Sequence, residues 1–252
     1  GIVAAGAALH YLFETHHTEV EHINKISRIE EDHYVWLDRF TIRNLELIHS
    51  TNENAKTLLD VIDRTVSPMG SRMLKRWIVL PLKNEEPILE RLEIVDYFLK
   101  TPEFRGQLFN ELHQLGDLER LVGKVATGKI HPREIIQLKN SLFIIEKIKD
   151  QIKDKPLNAL VKIHEQLNFC QSIRDRIERE IKSEPSTLII KGNVIADGID
   201  EELDEYRTLT YKSKDILKSI QKRESERTGI PSLKISFNNV FGYYLEVTNT
   251  HK

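Results

Sequence analysis

One cysteine, Cys170, occurs in 252 residues, so no disulfide can form within the chain. A lone thiol fits a reducing compartment. It lies in Leu167-Asn168-Phe169-Cys170, which reads as helical core. Long apolar runs are missing too. The apolar opening, residues 1–12, is shorter than the roughly 20 residues a membrane helix needs, and no basic segment precedes it. Neither an anchor nor a signal peptide is expected, and no membrane partner. A basic excess is also absent. The net charge is −2 with 30% charged residues, which excludes a chain-wide nucleic-acid surface and leaves only local ones.

The signatures of chemistry are missing as well. No Gly-x-x-x-x-Gly-Lys-Ser/Thr phosphate loop, no His-Glu-x-x-His and no paired-cysteine metal site occurs. Adjacent carboxylates such as Glu201-Glu202 and Asp204-Glu205 sit in polar helical runs, where they read as solvated faces or caps. His10, His16, His17 and His22 lie close together, but no cysteine or carboxylate set completes a ligand group, so they read as a solvated helix flank. The chain is therefore expected to be no enzyme and to hold no cofactor or metal. No period of 20–50 residues repeats, which excludes a solenoid.

Helical periodicity fills most of what is present. Residues 2–20 read as a helix with a small-residue face. From Asp38 the run Arg39-Phe40-Thr41-Ile42-Arg43-Asn44-Leu45-Glu46-Leu47 alternates and reads as a strand or an extended link. Ser67 and Pro68 open a helix that Pro81 ends. Within it Arg72, Lys75 and Arg76, beside Leu74 and Trp77, read as snorkelling from a packed helix rather than as a phosphate site. Asn84 starts the next helix, whose expected buried face is Leu89, Leu92, Val95, Phe98 and Leu99. Helices are expected over 103–115, 117–125, 132–152, 157–169 and 173–181, before Ser183-Glu184-Pro185-Ser186 breaks the pattern.

The chain then changes character. Asp200 caps a long polar helix running to Arg227, with Glu201 and Glu202 in the first turn, where the helix dipole favours anions. Gly229 suits the left-handed position past its end, and Pro231 forbids continuation. At about 1.5 Å per residue the arm spans roughly 40 Å. Its apolar stripe, Ile199, Leu203, Tyr206, Leu217 and Ile220, is too thin for burial all round. Leu233-Lys234-Ile235-Ser236-Phe237 and Tyr243-Tyr244-Leu245-Glu246-Val247 then alternate at period 2, as two strands of a hairpin. An even loop would put their apolar sets on opposite faces, so an odd loop or a bulge is expected around residues 238–242.

Basic residues gather here. Lys212, Lys214, Lys218, Lys222, Arg223 and Arg227 outnumber Asp215, Glu224 and Glu226 on the distal arm, and Lys234 carries the excess into the hairpin. Such residues bind phosphates without reading sequence. Asn238, Asn239, Thr248 and Asn249 can add neutral hydrogen bonds. The other reading is that charge pairs four residues apart merely solubilise an exposed helix.

The order and spacing of Glu224-Ser225-Glu226-Arg227-Thr228-Gly229-Ile230, Ser232-Leu233-Lys234-Ile235 and Phe241-Gly242-Tyr243-Tyr244-Leu245-Glu246-Val247-Thr248 resemble the clamp segment of the MutS DNA mismatch repair family. Asp117-Leu118-Glu119-Arg120-Leu121 and Pro132-Arg133-Glu134-Ile135-Ile136-Gln137-Leu138-Lys139 are similar to its core. The resemblance implies a mainly α fold: a multi-helical lever, or core, bundle with a long helical arm tipped by a small antiparallel β-hairpin. It divides the chain into the end of a connector region with a first linking helix (1–37), the core or lever (38–197) and the first part of a clamp (198–252).

It further implies a non-catalytic lever and partial clamp that contacts double-stranded DNA through its phosphates. The candidate contacts are Lys218, Lys222, Lys234, Asn238, Asn239, Thr248, Asn249 and Lys252. The whole protein is then expected to be a homodimer with a MutL-type repair partner, nucleoid-associated in the bacterial cytoplasm. It would be a DNA-dependent ATPase, its ATP and magnesium held in an ATPase domain that this stretch does not contain. Family members read a mismatch with a Phe-x-Glu motif; the Phe13-Glu14 pair lacks the intervening residue. The chain is expected to be a piece of that longer protein. The arm's return partner in the family lies past residue 252, so its stripe is expected to be partly uncovered. The alternative is a helical scaffold or protein-interaction module with no direct DNA contact.

Overall fold

The computed structural model describes residues 1–15, 20, 23–26, 31–52 and 55–247. His16, His17 and His22 lie outside the described residues, as do the candidate contacts Thr248, Asn249 and Lys252. The chain divides into two compact units, Gly1–Val194 and Ile195–Lys252.

In the first unit α1 (Ile2–Glu14) stops at Thr15, whose backbone N–H and hydroxyl both turn back to Tyr11 O. That is shorter than the run read from periodicity. A helix, α2 (Arg39–Asn44), stands where alternation suggested a strand or link. The reason is local: the Thr41 N–H donates to the Asp38 carboxylate at 2.6 Å, an N-cap that nucleates a turn. That bond also holds the Asp38 carboxyl below its ordinary range. A capping box of Thr57 and Asp60 starts α3 (Leu58–Ile62). Ser67 caps α4 (Pro68–Val79), accepting from the Gly70 N–H at 3.1 Å.

Six more helices complete this unit among the described residues: α5 (Glu85–Lys100), α6 (Pro102–Gln114), α7 (Leu118–Ala126), α8 (Pro132–Ile152), α9 (Asn158–Gln166) and α10 (Gln171–Glu180). The longest of them, α8, is the spine. Its last residue, Ile152, packs with Phe104 of α6 and Leu160 of α9, with Tyr97, Phe98, Leu157 and Leu167 around them. Tyr97 and Phe104 meet edge to face, with centroids 6.1 Å apart.

This core overturns one expectation. Leu89, Leu92, Val95 and Leu99, read as the buried face of α5, are exposed. Phe98 is half-buried, with Tyr97 and Ile94, because α5 turns its aromatic residues toward Phe104 and leaves the aliphatic stripe outward. Cys170 corrects another. It is not in a helix but holds a left-handed backbone at φ 47° before α10, where its N–H donates to the Asn168 side chain at 2.8 Å. An Asx turn has displaced the helix expected there.

Ion pairs tie α10 to α8 in antiparallel order. Lys139 pairs with Glu178, and Arg174 with Glu146 and Asp175. Both cations are buried, and the Arg174 guanidinium lies 4.4 Å from the Phe143 ring centroid. The α6–α7 link is held just as closely. The Gly116 N–H donates to Ser141 Oγ at 3.1 Å, and Ser141 Oγ donates on to Gln137 O. A Cβ on Gly116 would stand 2.9 Å from that hydroxyl. Gly116→Ala is therefore expected to destabilise the unit by about 1–3 kcal/mol, read as a lower midpoint in urea. An unchanged midpoint would show that the link can shift freely.

The second unit consists of α11 (Glu201–Thr228) and a two-stranded antiparallel sheet, β1 (Lys234–Asn238) with β2 (Gly242–Glu246). Among the described residues no helix is long and apolar enough to cross a membrane, and no group of three or more His, Cys, Asp or Glu could hold a metal ion.

Candidate nucleic-acid interface

The arm is anchored at its root. The Asp200 carboxylate accepts from the Leu203 N–H at 2.8 Å, which caps α11. One turn on, Arg207 reaches back to the preceding linker. Its guanidinium donates to Ile195 O at 2.8 Å, to the Asp197 carboxylate at 2.8 Å and to the Asp204 carboxylate at 2.7 Å. The Asp204 carboxylate also accepts from the Gly198 N–H at 2.6 Å. One arginine thus fixes the direction in which the helix leaves its linker. Arg207 belongs to no motif, and its spacing of three residues from Asp204 on a helix is the only sign of this role in the sequence.

The far end is built the same way. Gly229 takes the left-handed conformation at φ 70°, ending α11 as the sequence indicated. The Ser225 hydroxyl donates to Ile230 O at 2.7 Å and the Gln221 amide to Leu233 O at 2.8 Å, while Leu233 is buried. The hairpin is therefore seated on the last turns of the helix. Its register pairs Ile235 with Leu245 and Phe237 with Tyr243, closing at Asn238 and Gly242 around three loop residues. The odd loop keeps the two apolar sets on one face. Gly242 supplies φ 71° at the loop exit.

Between root and tip the basic residues sort into two groups. Lys214, Lys218 and Lys222 recur every fourth residue, so they form one row along α11 with steps of about 6 Å. All three are exposed, and none makes an ion pair among the described residues. Arg223 and Arg227 both bind Glu224, at 3.2 and 2.7 Å, and hold its carboxyl below the usual range, Arg227 more than Arg223. Their charge is largely spent within the helix. Lys234 is exposed, with Glu246 directly across the sheet.

The two asparagines differ. The Asn238 side-chain oxygen accepts from the Val240 and Phe241 N–H groups at 3.0 and 2.7 Å, so it builds the turn and leaves only its amide NH₂ to donate outward. Asn239 is exposed at the loop. Side chains the sequence reading did not single out stand beside them. Val240 and Phe241 at the apex are 81% and 78% exposed, and Tyr211, on the side of Lys214 and Lys218, is 81% exposed. The unit thus presents an unpaired cationic row, an aromatic beside it and an apolar tip. Such a row of cations is able to neutralise phosphates. Tyr206 of the arm's stripe is exposed, and Leu203, Leu217 and Ile220 are half-buried.

Comparison with known proteins bears on both units. The family model described as MutS domain III matches residues 40–233. Over all 252 residues the chain is 58% identical to the DNA mismatch repair protein MutS of Bacteroides fragilis. It is 57% identical to that of Phocaeicola vulgatus and 56% identical to that of Flavobacterium psychrophilum. In each case the chain spans 29% of the relative's length.

Proposed function

The chain belongs to the MutS family, and from that premise we propose that it serves DNA mismatch repair as a non-catalytic lever and the first part of a clamp. The observation that carries the proposal is the row Lys214, Lys218 and Lys222, unpaired on a 28-residue helix that ends in a seated hairpin. Phosphates bind along this row and at Lys234, and the amide groups of Asn238 and Asn239 add neutral donors at the tip. Thr248, Asn249 and Lys252, which follow in the sequence, are proposed as further contacts. Contacts to phosphate position a protein on duplex DNA and carry no sequence information, so the tip is indifferent to the base pairs it covers.

The helical body does mechanical work in this reading. A helix bonded to its linker through Arg207 turns with that linker instead of bending at its root. Movement arising elsewhere in the protein reaches the tip as a swing of the arm. The energy for that movement comes from ATP hydrolysed with magnesium in an ATPase domain of the whole protein, which acts as a homodimer with a MutL-type partner. No residue of this stretch takes part in that chemistry.

Fluorescence anisotropy on matched and mismatched duplexes tests the proposal. Binding is expected to be weak, to disappear between low and physiological salt, and to be equal on the two duplexes. No binding at low salt would leave the chain a helical scaffold without DNA contact. A clear preference for the mismatch would put the reader in this stretch and overturn the division of labour.

A further inference from the structure

A cleft on the first unit has no part in the reading above. It encloses about 370 Å³, with Tyr34, Met73, Arg76, Trp77, Leu80 and Arg91 on its walls. Two short segments bring these residues together. An isolated bridge pairs Tyr34 with Leu82, and the Val35 N–H donates to Pro81 O at 2.8 Å, which lays Tyr34 along the exit of α4. Helix α5 then returns Arg91 to α4, its guanidinium carbon 3.6 Å from the Trp77 ring centroid.

Charge is distributed unevenly in this cleft. Arg72, also on its wall, is matched: it forks onto Asp117 at 2.9 and 2.7 Å and reaches Glu119 at 2.7 Å. Those bonds hold the Asp117 carboxyl below its ordinary range and keep Arg72 firmly charged. Arg76 and Arg91 have no acidic partner among the described residues. Two guanidinium groups therefore border a half-enclosed space with their charge unanswered, while Met73, Trp77 and Leu80 give the same space an apolar wall. Trp77 lines this space and is 41% exposed as a whole, with one face of its ring under the Arg91 guanidinium.

We propose that this cleft docks an acidic segment of a partner protein. An aspartate or glutamate of that segment pairs with Arg76 and Arg91, and a neighbouring apolar side chain packs on Trp77, Met73 and Leu80. A planar guanidinium matches a carboxylate with two parallel hydrogen bonds, and the pair strengthens where apolar walls exclude water. Nucleic acid fits less well. A strand brings several phosphates, and Asp117 and Glu119 stand beside the cleft to repel all but a single anionic group. The apolar wall has nothing to gain from a phosphate.

Trp36 and Trp77 are the two tryptophans, so Trp36→Phe leaves Trp77 as sole reporter. The probe is a blocked hexapeptide with a single glutamate between two leucines and serine elsewhere, titrated against Trp77 emission. A saturable change is expected, weakened about tenfold or more by Arg76→Gln, the loss of one charge-assisted pair. Arg91→Gln, on a different helix, is expected to weaken it similarly, whether or not α4 tolerates substitution. Lys129→Gln, at an exposed position outside the cleft, leaves it unchanged, and the glutamine version of the peptide does not bind. No saturation into the millimolar range, or equal binding of the glutamine peptide, overturns the proposal. The same emission change with a 20-base-pair duplex would assign the cleft to nucleic acid. Peptide binding that vanishes in the whole protein would make its occupant an internal segment.

Discussion

Ile152→Ala lowers the stability of the helical unit by about 3 kcal/mol, or roughly 6–12 °C in Tm, on a scan of thermal unfolding. Ile152 is 2% exposed and stands where α8, α6 and α9 converge on Phe104 and Leu160. Truncation removes three carbons from a site ringed by Tyr97, Phe98, Leu157 and Leu167, whose backbones belong to different elements and cannot all close in. The resulting cavity adds to the lost transfer energy. Leu92→Ala supplies the contrast. Leu92 is 56% exposed on the outer face of α5, and its replacement is expected to change stability by no more than about 0.5 kcal/mol. Equal losses at the two positions would mean that α5 faces the other way, as its hydrophobic spacing alone suggests.

Reversing Lys218, Lys222 and Lys234 together to glutamate is expected to flatten the salt dependence of duplex binding. Each neutralised phosphate contributes about 0.9 to the slope of log affinity against log salt, so three lost contacts remove about 2.7 units. Between 50 and 200 mM salt that is roughly 40-fold less salt sensitivity, on top of weaker binding at every salt concentration. A charge-matched control reverses Lys83, Lys129 and Lys153, which are exposed in the first unit. The control keeps the original slope if the arm carries the contacts. Equal flattening by both variants would mean that net charge alone governs binding, and the row on α11 would lose its role. Lys234 is expected to contribute least of the three, because Glu246 sits across the sheet from it.

Particular residues show how far the chain can be read without coordinates. Asp200, Gly229 and Pro231 mark the ends of α11, and the structure places its bounds beside them, at Glu201–Thr228. A strand has a period of two, so one apolar face requires an odd loop, and Ile235 does face Leu245 across three loop residues. The basic arm was legible as a composition. Its division into a free row and a spent pair was not, because Glu224 chooses among Arg223, Arg227 and solvent by rotamer. Asn238 shows the same limit. An asparagine before a glycine-containing loop announces a turn, but only the geometry commits its oxygen to two backbone N–H groups.

The sequence by itself determined the family resemblance, most of the helices from α4 onward, the arm and the odd parity of the hairpin loop, while the register itself and the helix α2 came from the structure. Those features depend on interactions that span a few residues: a capping side chain and the N–H three positions on, a glycine at positive φ, an alternation along one strand. Tertiary structure decided which side of α5 is inward, which cations are neutralised and where an enclosed surface remains. Arg174 finds Glu146 across 28 positions, Lys139 finds Glu178 across 39, and Arg72 finds Asp117 across 45. The stripe Leu89, Leu92, Val95 and Leu99 has the spacing of a buried face, yet Tyr97 and Phe98 turn inward to meet Phe104. Helical spacing states only that residues share a side; which side is covered depends on what the rest of the chain brings against it.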